Sequence, residues 1–322
     1  MTKLDELVKV ITKEHIYIQM HNYPDQDALA SAFGLQYLLS QRGITSTICY
    51  NGQTDKYNTL KMIELLNIEI YNNKEFVMNE DDEIILVDGQ MGNVNMVNFI
   101  GKKIACIDHH PRQEVSEYRF YDIRSQVGAC STVIAWYFIE NKIEIPVELA
   151  TALAYGIKMD TANLTRRAVN LDVDMFCHLY KRADKDILLS FESSSLRRND
   201  LLAYQEAISN LRLHGRIGIA KIGDDCSEAI IGSISDFLMT LSEVDFTLVY
   251  SYRVGGLKFS VRSEAKTVDA GKIIKEALTG LGDGGGHATM AAGFLPNLNT
   301  EEEITKMAHL VEQRVIQLVI SN

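Results

Sequence analysis

The chain has 322 residues, enough for two domains with separate hydrophobic cores. Its composition, 46% hydrophobic and 23% charged, is that of an ordinary globular protein, and its net charge of -11 argues against a large duplex-binding surface, which would need a basic stripe. The charge leaves room for a small phosphorylated substrate held by metals. Five scattered cysteines (49, 106, 130, 177 and 226) with no C-x-x-C spacing read as free thiols of a reducing compartment. No signal peptide and no apolar stretch of membrane-spanning length is visible, so a cytosolic protein without membrane association is expected.

Residues 4–12 predict a short amphipathic helix, and the alternation of Ile16, Ile18 and Met20 predicts a strand over 14–20. That strand runs into His21-Asn-Tyr-Pro-Asp25-Gln-Asp27, followed by a small-residue-rich helical stretch to Gln41. Asp25 and Asp27 are two apart, so both can face one point from an extended turn; aspartates here are also ordinary helix caps. A strand over Thr45–Tyr50 and a helix near 56–66 complete a βαβ-type pattern. Glu83-Ile-Ile-Leu-Val-Asp88 is another strand ending in an acid. The apolar run Ile104 to Ile107 is a third, ending in Asp108-His109-His110, with Pro111 preventing its continuation. Side chains alternate along a strand, so the adjacent His109 and His110 should have different tasks.

Gly128 to Asn141 predicts a helix whose small first residues allow backbone N–H groups to approach an anion, or simply permit close packing. A helix following Pro146 leads to Asp160, an acid beside the negative end of the helix dipole and so placed against local preference. Residues 170–190 predict helix and 185–200 a linker, followed by helix to about 213. Strands at 215–222, 244–253 and 256–262 and helices at 227–241, 268–280 and 300–319 make the second half α+β. The run Gly284-Gly285-Gly286-His287 predicts a loop able to bring backbone N–H groups close to a phosphate or base. Over 251–287, six Lys/Arg face four acids in an otherwise acidic chain. Arg262 has the planar fork that suits phosphate.

Together, His21, Asp25, Asp27, Asp88, Asp108, His109 and Asp160 put five carboxylates and two imidazoles at strand and helix ends. Converging without partners, they would repel one another and pay heavily for desolvation; divalent ions resolve the conflict. Asp/His ligation without Cys favours Mn²⁺, Mg²⁺, Co²⁺ or Zn²⁺. Two such ions together can activate water for in-line attack on phosphorus.

The motifs His21-x-x-Pro24-Asp25-x-Asp27, Asp88, Asp108-His109-His110 and Asp160-Thr161, in this order, resemble those of the DHH phosphoesterases. The C-terminal Gly284-Gly285-Gly286-His287 and Ala291-Ala292-Gly293, after Arg262-Ser263, resemble the DHH-associated domain. The likeness is greatest to the nano-RNase and phosphoadenosine-phosphate phosphatase branch, whose relatives are often labelled exopolyphosphatase-related. It implies an N-terminal parallel-sheet α/β domain over 1–185, a linker over 186–200, and a smaller α+β substrate-binding domain over 201–322 across a cleft. It implies two ions, Mn²⁺ by preference, one held by His21, Asp25 and Asp88, the other by Asp27, Asp88, His109 and Asp160, with Asp88 bridging. Asp108 would orient a histidine; His110 would face the substrate phosphate or protonate the leaving oxygen. Arg262, Gly284, Gly285, Gly286 and His287 would hold the substrate.

The chain departs from the family at Gly89-Gln90-Met91-Gly92, where many members carry an arginine. The expected substrate is a short single-stranded oligonucleotide or a nucleoside bisphosphate such as 3′-phosphoadenosine 5′-phosphate, not duplex DNA, and the expected assembly a homodimer. The alternatives are pyrophosphate or polyphosphate hydrolysis, or a catalytically silent nucleotide-binding regulator.

Overall fold

The computed structural model describes residues 1–321 except 53, 55, 56, 94, 113–117, 193–195, 197, 199 and 254. The chain divides into two compact units, Met1–Ser195 and Leu196–Asn322.

The first unit runs α1 (Lys3–Val10), β1 (His15–Gln19), α2 (Gln26–Ser40), β2 (Thr45–Tyr50), α3 (Tyr57–Leu66), β3 (Tyr71–Asn72), β4 (Glu83–Val87), β5 (Lys102–Asp108), β6 (Phe120–Ile123), α4 (Cys130–Asn141), α5 (Val147–Asp160), α6 (Asn170–Tyr180) and α7 (Lys185–Glu192). All its strand pairings are parallel, in the order β3-β2-β1-β4-β5-β6. Because residues alternate across a strand, Ile85 and Val87 of β4 join the large core beneath α2, α4 and α5, while Ile84 and Leu86 enter a smaller cluster with Met96, Phe99 and Cys106. Both faces are covered, and β4 is buried from end to end. The strand order reverses between β1 and β4, and such switch points leave a crevice at the carboxyl ends of the strands.

The second unit runs α8 (Asp200–Ser209), β7 (Arg212–His214), β8 (Ile217–Lys221), α9 (Glu228–Leu238), β9 (Phe246–Arg253), β10 (Gly256–Ser263), α10 (Ala270–Ala277), β11 (Asp283–Gly286), β12 (Met290–Leu295) and α11 (Glu301–Ile320). Its sheet has the order β11-β12-β10-β9-β8-β7, antiparallel except for the β8–β9 pair. One face packs on α10 and α11, the other on α8 and α9. Among the described residues, no helix is long and apolar enough to cross a membrane.

Several local expectations are revised. The segment 170–190 is two helices rather than one. The first part of the expected linker is α7, which buries Leu188 and Phe191 and packs on α3 and α5; Ser193 to Ser195, Arg197 and Asn199 of that stretch lie outside the described residues. The helix expected to reach 213 ends at Ser209, and Arg212–His214 pairs with β8 instead. The glycine run is not a loop: Asp283–Gly286 is an edge strand in register with Ala291–Phe294 of β12. Its glycines answer to packing and backbone conformation. A Cβ on Gly284 would come 3.1 Å from Leu278 Cδ1, and Gly286, at φ +148°, would place one 2.5 Å from Met290 O.

Candidate metal centre

Each ligand-type side chain stands where a regular element ends. β1 stops before His21, and the turn that follows delivers Asp25 as the N-cap of α2, its Oδ1 accepting the Asp27 and Ala28 N–H groups at 3.1 Å. Cap and ligand are therefore compatible readings of Asp25. β4 ends in a left-handed Asp88 (φ 56°), a conformation aspartate tolerates better than most residues. Asp108 closes β5, and Asp160 is the last residue of α5.

These termini converge at the switch point. The ligand atoms of His21, Asp25 and Asp88 lie within 4.8 Å of one another, as do those of Asp27, His109 and Asp160, and those of Asp88, Asp108, His109 and His110. Asp88 reaches both histidines that flank it: Oδ2 is 3.6 Å from His21 Nε2, and Oδ1 is 3.3 Å from His109 Nε2. His109 Nε2 also lies 3.2 Å from Asp160 Oδ2 and 4.0 Å from Asp27 Oδ2.

The opposite ring nitrogens decide what these contacts are. His21 Nδ1 is 2.8 Å from Asn22 O and His109 Nδ1 is 3.4 Å from Val127 O. A carbonyl only accepts, so Nδ1 carries the proton in each neutral ring and Nε2 offers a lone pair to the carboxylates. Lone pairs facing carboxylate oxygens require a cation between them. Asp88 Oδ1 is buried and accepts no hydrogen bond, which is the strongest single sign of a missing positive charge.

Protonation is the response without a metal. Burial works against charging His21, yet Asp25 and Asp88 outweigh it and push its pKa up to about 9. His109 moves up in the same way, burial opposing and Asp88, Asp160 and Asp27 prevailing. Burial and then the charges of Asp88 and Asp160 hold Asp27 well above the usual carboxylate range. Asp160 is raised by burial, with Asp25 and Asp88 adding to it against the pull of His109. The residues present thus fit hard divalent cations with oxygen and imidazole donors. Sulfur takes no part: burial, followed by the nearby carboxylates, keeps the Cys130 thiol protonated, and its Sγ is directed at Ile107 O.

Asp108 and His110 form a separate device. Asp108 Oδ1 accepts His110 Nδ1 at 2.8 Å and the backbone N–H groups of His109 and His110, while Oδ2 accepts Gln90 Nε2 at 2.7 Å. Burial would raise Asp108, but the bond and charge of His110 hold it below its ordinary value; reciprocally, Asp108 outweighs burial and raises His110. Gln90, in the stretch that departs from the family pattern, is thus a buried support for Asp108. Asp27 has a second task as well. Its Oδ2 and Oδ1 accept Cys130 N–H and Ser131 N–H at 2.6 and 2.8 Å, so the small-residue start of α4 does meet an anion, one supplied by the chain itself.

The other expected contacts belong to the second unit. Arg262 is only 8% exposed and forks onto Asp236, with Nη1 donating to Ser260 Oγ and Val261 O. Gly284 to Gly286 lie on the edge strand, and the His287 backbone bonds Met290 O and Gly271 N.

Fold and site define an α/β protein whose switch point suits divalent cations, joined to a mixed-sheet unit. Residues 15–157 match the DHH family, N-terminal domain, and residues 214–317 match the DHHA1 domain. The chain thus carries a DHH domain followed by a DHHA1 domain. It is 29% identical over 88% of its length to an uncharacterized protein of Methanocaldococcus jannaschii and 24% identical over 95% to the cyclic-di-AMP phosphodiesterase GdpP of Bacillus subtilis. It spans 58% and 49% of those relatives. A probable manganese-dependent inorganic pyrophosphatase of Streptococcus thermophilus matches 45% of the chain at 26% identity, covering 48% of its own length. Among solved structures, an exopolyphosphatase-related protein of Bacteroides fragilis shares the fold over 98% of this chain and 97% of its own (TM-score 0.74, 17% identity). RecJ of Thermus thermophilus, solved with Mn²⁺, does so over 98% and 54% (TM-score 0.59, 13% identity).

Proposed function

We propose that this protein is a metal-dependent phosphoesterase acting on short oligonucleotides and on nucleoside bisphosphates such as 3′-phosphoadenosine 5′-phosphate. The observation that carries the reading is the Asp88 carboxylate set between two histidine lone pairs, Oδ2 facing His21 and the buried Oδ1, which accepts no hydrogen bond, facing His109. His21, Asp25 and Asp88 would hold one ion and Asp27, Asp88, His109 and Asp160 the other, Mn²⁺ being the first candidate. Bound there, divalent ions supply Lewis acidity toward a phosphate oxygen and toward water.

The chain's own groups supply the rest. Asp108 fixes the His110 ring and favours its protonated form, so Nε2 can deliver a proton to the leaving oxygen. Gln90 holds Asp108 in place. Arg262, the backbone of Gly284 to Gly286 and His287 would engage the non-reacting part of the nucleotide. Two observations support the glycine part of that assignment: β11 is an edge strand, and the Cβ position of Gly285 faces open space.

A nucleotide is favoured over pyrophosphate because the pyrophosphatase relative matches less than half of the chain, whereas the cyclic-dinucleotide phosphodiesterase matches both units. The test is product analysis with added Mn²⁺ on a dinucleotide, 3′-phosphoadenosine 5′-phosphate, pyrophosphate and polyphosphate. Turnover of either nucleotide well above the inorganic substrates is expected. Preference for pyrophosphate or polyphosphate would overturn the substrate assignment, and no turnover of any would leave a silent regulator.

A further inference from the structure

Asp172 is a fully buried carboxylate in the first turn of α6 that makes no ion pair among the described residues. Its Oδ2 accepts Gly128 N–H at 2.9 Å and Val169 N–H at 2.8 Å, and its Oδ1 accepts Thr132 Oγ1 at 2.5 Å. Capping α6 requires only the Val169 bond. The other two fasten a segment 40 or more residues away, the entry to α4.

That segment directly supports two members of one ligand cluster, His109 and Asp27. Val127 O lies against His109 Nδ1 and so directs Nε2 to the carboxylates. Cys130 and Ser131 N–H hold the two oxygens of Asp27. Between them, Gly128 leaves no room for a side chain: a Cβ there would sit 2.6 Å from Thr161 Cγ2 and 3.0 Å from Asp172 Oδ2. Thr161 follows Asp160, the third member of the cluster.

From Thr161 the chain turns back through left-handed conformations at Ala162 (φ 46°), Asn163 (60°), Leu164 (63°) and Arg167 (55°). For the non-glycine, non-asparagine members these cost about 1–2 kcal/mol each, and they persist only where the surroundings over-determine them. Thr161 Oγ1 secures one end of this return by accepting Leu164 N–H, and Asp172 the other through Val169. His21 and Asp88 draw on different supports, Asn22 O and the end of β4, and Asp25 is held by the Asp27 and Ala28 N–H groups of α2, with no bond to the entry of α4.

We propose that Asp172 is a positioning residue that holds Asp27, His109 and Asp160 in register as one cation-binding cluster, without touching the other. This rests on the metal-centre reading above. The test is calorimetric titration of Mn²⁺ into the full chain and its variants. Asp172→Ala should weaken one class of site by about tenfold or more, the usual effect of losing an outer hydrogen-bonding partner, and leave the other class within about twofold. Asp172→Asn should retain near-normal affinity, because the amide oxygen can accept both N–H groups while its NH₂ donates to the Thr132 hydroxyl. Gly128→Ala, which displaces the same segment by crowding, should reproduce the Asp172→Ala loss and serves if that variant fails to fold. Glu83→Gln, which disturbs the same unit at the far end of β4 from Asp88, should bind Mn²⁺ normally. Wild-type affinity in folded Asp172→Ala or Gly128→Ala, or an equal loss in Glu83→Gln, would overturn the positioning role and leave the metal centre standing. Failure of the wild-type chain to bind Mn²⁺ would overturn both.

Discussion

Asp27 and Asp160 face the same imidazole, yet their removal should have unequal consequences for the metal-free protein. Asp27 accepts the first two N–H groups of α4, whose N-cap, Ala129, has no side-chain acceptor. Asp27→Ala leaves both donors buried and unpaired, at about 1–3 kcal/mol each, partly offset by the relief of repulsion from Asp88 and Asp160. A net loss of about 2 kcal/mol is expected, roughly 4–8 °C in Tm for a unit of this size. The Asp160 carboxylate accepts no hydrogen bond among the described residues and is 23% exposed, so Asp160→Ala should change stability by less than about 1 kcal/mol. Thermal unfolding by circular dichroism, in chelator at neutral pH, compares the two. Both variants should lose the stabilisation that Mn²⁺ gives the wild type. Equal Tm values for the metal-free variants would refute the idea that Asp27 doubles as the cap of α4.

Four other outcomes are expected. Asp88→Ala should retain the fold by circular dichroism but lose turnover and Mn²⁺ binding in both clusters; wild-type-like activity would sink the shared-ligand assignment. His110→Ala should keep its Mn²⁺ content and lose roughly 10²–10⁴ in kcat, the usual weight of one acid–base group, and loss of metal on purification would make it a ligand instead. Arg262→Ala should reduce kcat/KM for a dinucleotide far more than for pyrophosphate; equal losses would reduce Arg262 to its ion pair with Asp236. Glu83 accepts both Thr12 donors and Arg119, and although burial opposes its charge, these bonds hold its carboxyl below the ordinary glutamate value. Its contribution is therefore complete above the unfolded glutamate pKa and lost as pH falls through the lower folded value. Denaturant titrations of wild type and Glu83→Gln should differ by about 1–3 kcal/mol at neutral pH and converge in acid.

The ligand-type residues of the first unit were legible because each lies at the end of a periodic run. Ile16, Ile18 and Met20 lead to His21, Ile84 to Val87 lead to Asp88, and Ile104 to Ile107 lead to Asp108. Hydrophobic alternation is a local property, and in a parallel sheet it forces successive strand ends onto one edge. What carried no local signal were the partners that meet across the fold. Nothing near Cys130 indicates that its N–H caps onto Asp27, 103 residues earlier, and Asp172 reads as a helix-start acid until α4 is packed beside it. Gln90 looks like a lost arginine until its amide is found on Asp108, and Arg262 looks open to phosphate until α9 sets Asp236 against it. The glycine run reads as a loop because glycine is a turn residue by propensity; β12 and the close approach of Leu278 turn it into an edge strand. Residue type and spacing determined which groups could hold a cation. Tertiary packing decided which of those groups are also needed by the backbone, because a buried donor must find its acceptor wherever the chain brings one within reach.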